Sequence, residues 1–333
     1  MKFSESASVQ FETTGGGYIG PSPQHFDTGR EDADLLLEMV YGSIGDGHDH
    51  RTLLNVLNSG LKIARRYMAP ADWEAFCIRS KVHPLIALLK QDPFLCRVNE
   101  KPRGYAGDAV MIDLIYGTGD CRAIVDAATP FGRSIYATTS ESAASVGVRQ
   151  RRALLAERID IVADAVVNPT IFAVAAGHLR EAPLSKAFVD RRIGRWIALD
   201  QDPESIAEIE RSLPDRIETV ERSINAILKG EFWLIDVDYA YSAGLYDYLP
   251  QGVAIRLTRK MGAMLRRGGR LLFANFADDI WDAGFMEAVM DWKLILRSPS
   301  DMARIATAMG DGFSAVHWTS SNGAIHYCEL TRL

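Results

Sequence analysis

Cysteine is scarce in this chain. There are four in 333 residues, at Cys77, Cys96, Cys121 and Cys328, and no two form a C-x-x-C pair. Thiols scattered in this way exclude a zinc ribbon and supply no disulfide framework, so no metal site is expected and the cysteines read as reduced and structural. Positive charge is not in excess either: 37 Lys and Arg stand against 43 Asp and Glu, a formal net charge of −6. That balance carries no footprint for a polyanion, and nucleic acid is not an expected partner. Long apolar runs are also missing. No stretch approaches the ~18 consecutive apolar residues of a membrane span, and MKFSESASVQFETT has no apolar signal core, so the expectation is a cytoplasmic protein without a membrane partner.

What is present is ordinary globular material, 47% hydrophobic and 24% charged, arranged in distinct textures. Residues 1–24 form a polar arm with Gly15-Gly16-Gly17 and Pro21-Ser-Pro23, too poor in apolar side chains to pack alone and expected to be flexible. From Asp32 to about Pro93 apolar residues recur at helical spacing, as in Leu35, Leu36, Met39 and Val40, then Leu53, Leu54, Leu57, Leu61 and Ala64. Ser145 to Val166 reads as a long amphipathic helix with a stripe through Val148, Leu155, Ile159, Val162 and Val166, stopped by Asn168-Pro169. Arg149, Arg151 and Arg152 read by default as its charged face, with recognition of an acidic substrate as the alternative.

Beyond Pro169 the rhythm changes to short β-branched runs: Thr170–Ala176, Arg195–Leu199, Ile217–Val220, Tyr239–Ser242, Arg270–Phe276, Ala315–Thr319 and Ile325–Leu330. Helical segments beginning near Leu179, Pro203, Gly252 and Pro299 fall between several of them, the pattern of parallel strands with crossover helices. Ser320-Ser-Asn-Gly323 joins the last two runs as a hairpin turn. The predicted fold is therefore an α/β sheet, mostly parallel, with an antiparallel C-terminal hairpin and an N-terminal helical domain. Its predicted division is a flexible arm 1–24, a helical lid and substrate domain 25–144, and a ligand-binding sheet domain 145–333.

The first strand runs into Ala175-Ala176-Gly177, three small residues where a ligand must approach the backbone closely. The second run, RWIALD, ends on Asp200, whose carboxylate can accept hydrogen bonds from both ribose hydroxyls of a nucleoside. Its structural alternative is a helix N-cap before Pro203. Two ligands fit this pair, a nicotinamide dinucleotide and S-adenosylmethionine. The turn is not G-x-G-x-x-G and leads straight into His178-Leu-Arg-Glu181, which disfavours a pyrophosphate and favours the phosphate-free nucleoside.

Two sets of motifs carry a resemblance. DYAYSAGLYDYL (Asp238–Leu249), followed by LTRKMGAMLRRGGRLLFANF (Leu257–Phe276), reads as a strand, a helix ending at Gly268-Gly269 and another strand. It resembles the class I S-adenosylmethionine-dependent methyltransferases and their Rossmann-like sheet, over Thr170 to Leu333. KPRGYAGDAVMIDLIY (Lys101–Tyr116), taken with SAGLYDYL, LLFANF and FMEAVMDWKLILR (Phe285–Arg297), is similar to the R-G-Y-x-G-D subgroup of bacterial 3-hydroxypalmitic acid methyl ester biosynthesis methyltransferases. Ala175-Ala176-Gly177 departs from the G-x-G usual at that turn.

The resemblance implies a methyltransferase with S-adenosyl-L-methionine as cofactor and a small-molecule acceptor, in the first instance the carboxylate of a hydroxy acid. An S- or N-methyltransferase of an amino-acid-like metabolite is the alternative, then a non-catalytic S-adenosylmethionine-binding module. Arg103, Tyr105 and Asp108 are expected to close over the methionine end of the cofactor or fix the acceptor's polar end, the alternative being an Arg-Asp brace. Ala175, Gly177, His178, Asp200, Gln201, Ser242 and Gly244 complete the expected cofactor set, with His178 in a supporting hydrogen-bonding role. Tyr246, Asp247, Tyr248 and Asn275 are the expected catalytic residues, against the alternative of buried rings at a helix start. Tyr105, Tyr136, Tyr246, Tyr248 and Trp292 are expected to make the acceptor site aromatic. Asp46-Gly-His-Asp-His50 reads as a solvated loop, and a homodimer is left open.

Overall fold

The computed structural model describes residues 30–45, 47–118 and 120–333; the N-terminal arm, 1–24, lies outside the described residues. The chain divides into two compact units. One contains the described residues up to Ala106 together with Arg122–Ser142 and Trp281–Lys293, and the other contains Gly107–Cys121, Ala143–Ile280 and Leu294–Leu333. Both units are discontinuous in sequence. Among the described residues no helix is long and apolar enough to cross a membrane.

The first unit is helical, with Arg30–Gly45, His50–Tyr67, Pro70–Ser80, Pro84–Leu89, Pro93–Glu100 and Pro130–Thr139 as its main helices. Four of these begin on proline, whose missing N–H costs nothing in a first turn. Asp46 lies outside the described residues; Gly47, His48 and Asp49 are exposed, and Asp49 caps the helix His50–Tyr67 by accepting the Thr52 N–H. Leu35 and Met39 are exposed, whereas Leu36, Val40, Leu53, Leu54, Leu57, Leu61 and Ala64 are buried, as their spacing predicts, together with Leu37 and Phe76. Asp92 is buried among them, where it accepts the Phe94 N–H at 2.8 Å and the Thr139 hydroxyl at 2.7 Å. Burial pushes this carboxyl up to about 7 despite those bonds. The distant segment Trp281–Lys293 is held by Glu287, which accepts from Arg65 Nε at 2.9 Å and Trp73 Nε1 at 2.6 Å. Gly284 makes that packing feasible, because a Cβ there would lie 2.5 Å from the Leu61 carbonyl oxygen.

The second unit is a seven-stranded sheet: β1 Thr170–Val174, β2 Arg195–Asp200, β3 Glu218–Glu221, β4 Val237–Ser242, β5 Leu265–Phe276, β6 Phe313–Thr319 and β7 Ile325–Arg332. The order is β3-β2-β1-β4-β5-β7-β6, with β1 to β5 parallel and β7 antiparallel to both neighbours. All seven predicted runs are strands, and Gly323 supplies the positive φ of the β6–β7 turn. Ile171 to Val174 and the whole of β4 are buried on both faces, which is why they read as near-continuous apolar runs. Below the sheet, Phe172, Leu199, Leu257, Met261, Phe273 and Leu330 share one core, each large side chain worth about 1.5–3 kcal/mol when fully buried.

Gly268 and Gly269 do not end a helix. The helix Gln251–Met264 stops earlier and the glycines lie inside β5, where the pairing slips between Val237–Leu265 and Tyr239–Arg270. Gly268 takes φ +75°, and a Cβ on Gly269 would sit 2.7 Å from the Val237 carbonyl oxygen. The order reverses where β1 pairs β2 on one side and β4 on the other. Ligands of open α/β sheets bind outside the carboxyl ends at such a switch point.

Candidate functional site

The carboxyl ends of β1 and β2 meet through two hydrogen bonds: the Ala176 N–H donates to the Leu199 carbonyl at 3.2 Å and the Gly177 N–H to Asp200 Oδ2 at 2.8 Å. The other carboxylate oxygen accepts the Asp202 N–H at 2.9 Å. Asp200 is not the N-cap of the helix Pro203–Ser212; Asp202 is, through the Glu204 N–H. Asp200 is thereby freed from capping and keeps lone pairs on both oxygens for further donors. Burial pushes its carboxyl above the ordinary range, against the pull of the Asp202 and Gly177 N–H groups.

The turn itself is wound tightly. Ala175 and Gly177 take φ of +54° and +55°, and Leu179 follows at +52°. Left-handed backbone is costly for alanine and leucine, and such conformations gather at functional sites. After this turn a regular helix begins only at Lys186 and runs just to Val189. The sequence reading expects a helical segment from near Leu179; a short 3₁₀ turn, Ala182–Leu184, stands there instead. No long helix therefore presents its N-terminus to β1, the feature a pyrophosphate would use.

The R-G-Y-x-G-D stretch reaches the site through the helix Ala109–Tyr116. Asp108 is its N-cap, accepting the Met111 N–H at 2.8 Å while fully buried, so its first role is to start that helix. Ala109 sits against the turn, with its Cβ 3.4 Å from where a Cβ of Gly177 would be. Asp113, one turn further, takes His178 Nδ1 at 2.8 Å and Arg180 at 2.8 Å (Nε) and 2.6 Å. Arg180 also donates to Glu208 at 2.8 Å. Burial pushes the Asp113 carboxyl up, but the bonds from Arg180 and His178 outweigh it and hold it below the ordinary range. An ionised carboxylate only accepts, so His178 donates to it from Nδ1. Nε2 is buried without a hydrogen-bond partner.

At the end of β4 the expected catalytic residues divide. Tyr246 is a core residue: fully buried, stacked on Phe273 at 4.7 Å between ring centroids, its hydroxyl 2.7 Å from Thr258 Oγ1. Asn275 is likewise engaged inside the sheet, donating to the Phe276 and Ile295 carbonyls at 3.0 and 2.8 Å and accepting from Arg297. Both side chains have their hydrogen bonds met within the protein. Ser242 ties β4 to β1 by donating to the Val174 carbonyl at 3.0 Å. Asp247 is buried and accepts the Phe276 N–H at 2.7 Å, and burial pushes it up to about 7. Tyr248 and Gln201 are exposed, and Gly244 lies beside Arg151. Arg103, Tyr105, Tyr136 and Trp292 belong to the helical unit.

Asp113 and Glu181 are polar residues that sequence reasoning missed, and Arg151 was read there by default as part of a charged face. Asp113 continues the R-G-Y-x-G-D helix and follows Asp108 by five positions, a spacing that was there to be read. Glu181 is buried and takes the Tyr241 hydroxyl, and burial raises its carboxyl.

No protein-family model and no curated protein matches the chain. Among solved structures it is similar to a possible exported protein from Bordetella parapertussis, at 16% identity and a TM-score of 0.56, over 80% of this chain and 98% of that one. It is also similar to the magnesium protoporphyrin IX methyltransferase of Synechocystis PCC 6803 with bound SAH, at 12% identity and a TM-score of 0.46, over 66% of this chain and 92% of that one. A third is the N-methyltransferase NodS of Bradyrhizobium japonicum WM9 in complex with S-adenosyl-L-homocysteine, at 14% identity and a TM-score of 0.39, over 55% and 86%. At 16% identity the likeness to the first of these is one of fold alone.

Proposed function

We propose that the chain is an S-adenosylmethionine-dependent methyltransferase acting on a small molecule, with the carboxylate oxygen of a hydroxy acid as acceptor. The observation that carries the reading is the joining of the Ala175–Gly177 turn to Asp200 at the switch point of the sheet. The residues fit this cofactor. Small side chains clear the backbone at the turn, both Asp200 oxygens retain acceptor capacity for ribose hydroxyls, and His178 Nε2 is left for a polar group of the cofactor. The absence of a long helix directly after β1 speaks against a dinucleotide.

When bound, the cofactor supplies a methyl group already activated on a sulfonium. The protein's task is to hold donor and nucleophile in line, and positioning of this kind contributes up to ~7–11 kcal/mol in favourable cases. Asp200 and the turn would fix the nucleoside, while Asp113 fixes His178 and Arg180. A carboxylate acceptor needs no proton removed, and Asp247 at the end of β4, already engaged by the Phe276 N–H, need not act as a base. The helical unit, which holds Arg103 and Tyr105 of the R-G-Y-x-G-D stretch, is assigned the role of lid and acceptor domain.

The test is incubation of the purified chain with methyl-labelled S-adenosylmethionine and a metabolite extract. A labelled product one CH2 heavier than its acceptor, formed together with S-adenosylhomocysteine, supports the reading. Absence of cofactor binding refutes it.

A further inference from the structure

Two arginines are buried in the described structure, and they live in opposite circumstances. Arg297 has its donors taken by the protein: the Tyr246 and Leu249 carbonyls, Asn275 Oδ1 and Gln251 Oε1 all accept from it. Arg151, on the helix Ala143–Ala165 and only 6% exposed, makes one hydrogen bond, from Nη1 to the Ala243 carbonyl at 2.7 Å. Among the described residues it has no ion pair. Guanidinium cannot shed its charge by deprotonation, so an isolated buried arginine carries an uncompensated cost that a ligand anion would remove. Glu181 and Asp247 feel its charge, but neither pairs with it, and each is hydrogen-bonded elsewhere.

Its position matters as much as its charge. Ala243 and Gly244 directly follow β4, next to the switch point, and Nη2 lies 3.6 Å from where a Gly244 Cβ would stand. Its neighbours Arg149 and Arg152 are occupied, the first with the Ile115 carbonyl at 3.3 Å and the second over the Tyr116 ring at 4.1 Å. Arg151 is therefore not part of a charged helix face.

We propose that Arg151 is the carboxylate-binding residue of this site, its unused N–H fork receiving a carboxylate carried by a ligand. The inference rests on the methyltransferase reading, which offers two sources of that group: the amino-acid end of the cofactor and the acceptor. An arginine fork matches a carboxylate bidentately, which gives orientation as well as charge.

The experiment compares the full-length wild type with Arg151→Met and Arg151→Lys. Calorimetry is run with S-adenosylhomocysteine, with methylthioadenosine, which lacks the amino-acid end, and with 3-hydroxypalmitate. Loss of at least about tenfold for S-adenosylhomocysteine in Arg151→Met, with methylthioadenosine unchanged, assigns the cofactor carboxylate. An equal loss confined to 3-hydroxypalmitate assigns the acceptor. In both cases Arg151→Lys recovers part of the affinity, and ligand-free Arg151→Met melts no lower than wild type, whereas Arg297→Met melts well below it. Unchanged affinity for all three ligands overturns the inference, as does an Arg151→Met melting point that falls as far as that of Arg297→Met. Failure of the wild type to bind S-adenosylhomocysteine or methylthioadenosine overturns the cofactor reading itself.

Discussion

Asp113 lies 2.8 Å from His178 Nδ1 across 65 residues of sequence, and the same carboxylate grips Arg180, so one acidic side chain anchors the whole segment that follows β1. The turn of a nucleotide-binding sheet is usually steadied by its own helix. Here the R-G-Y-x-G-D helix does this work from outside the strand sequence.

Asp113→Asn removes the charge while keeping the shape. His178 and Arg180 then lose their ionic acceptor, although Arg180 retains Glu208. The expected loss is about 1–3 kcal/mol of unfolding free energy, read by urea denaturation at neutral pH. A loss too small to resolve would mean that the turn does not depend on this anchor.

Ala175 occupies φ +54°, a region that alanine enters only at a cost. Ala175→Gly relieves it, and glycine's greater freedom in the unfolded chain offsets part of the gain, so a net stabilisation of up to about 1 kcal/mol is expected. A lower melting temperature for the glycine variant would contradict this backbone geometry.

Much of the fold was legible because its signals are local. The seven strands were marked by short runs rich in apolar, β-branched or aromatic residues, and the long helix was bounded by Asn168-Pro169. Less was legible where meaning depended on a distant partner. Gly268-Gly269 looks like a helix end until the Val237 carbonyl shows why a side chain cannot fit there. Tyr246 and Asn275 look available in SAGLYDYL and LLFANF, yet Thr258 and Arg297 engage them. Arg151 was hidden between two similar arginines, and only the end of β4 sets it apart. Nothing within Trp281–Lys293 announces that it packs on Leu61 and Arg65.

Asp92 makes stability depend on pH. Its folded-state value, near 7, lies above the ordinary 3.8, so the folded protein holds a proton that the unfolded chain releases. The contribution is complete below pH 3.8 and is lost as pH rises towards 7. Asp92→Asn cannot ionise and still offers an oxygen to the Phe94 N–H. Relative to wild type it should therefore gain stability on going from acidic to mildly alkaline solution, by on the order of 1–3 kcal/mol. Parallel curves for the two proteins would show that Asp92 is ionised when folded.

The pairing of Asp200 with the Ala175–Gly177 turn is tested most directly by calorimetric titration of S-adenosylhomocysteine into wild type and Asp200→Ala, with Asp202→Ala as a control for disturbance of the helix Pro203–Ser212. Wild type is predicted to bind. Folded Asp200→Ala should bind more weakly by about 1–3 kcal/mol, while Asp202→Ala stays close to wild type. Equal affinity in wild type and Asp200→Ala would contradict the assignment of this carboxylate to the ribose, and no binding by wild type would contradict the cofactor.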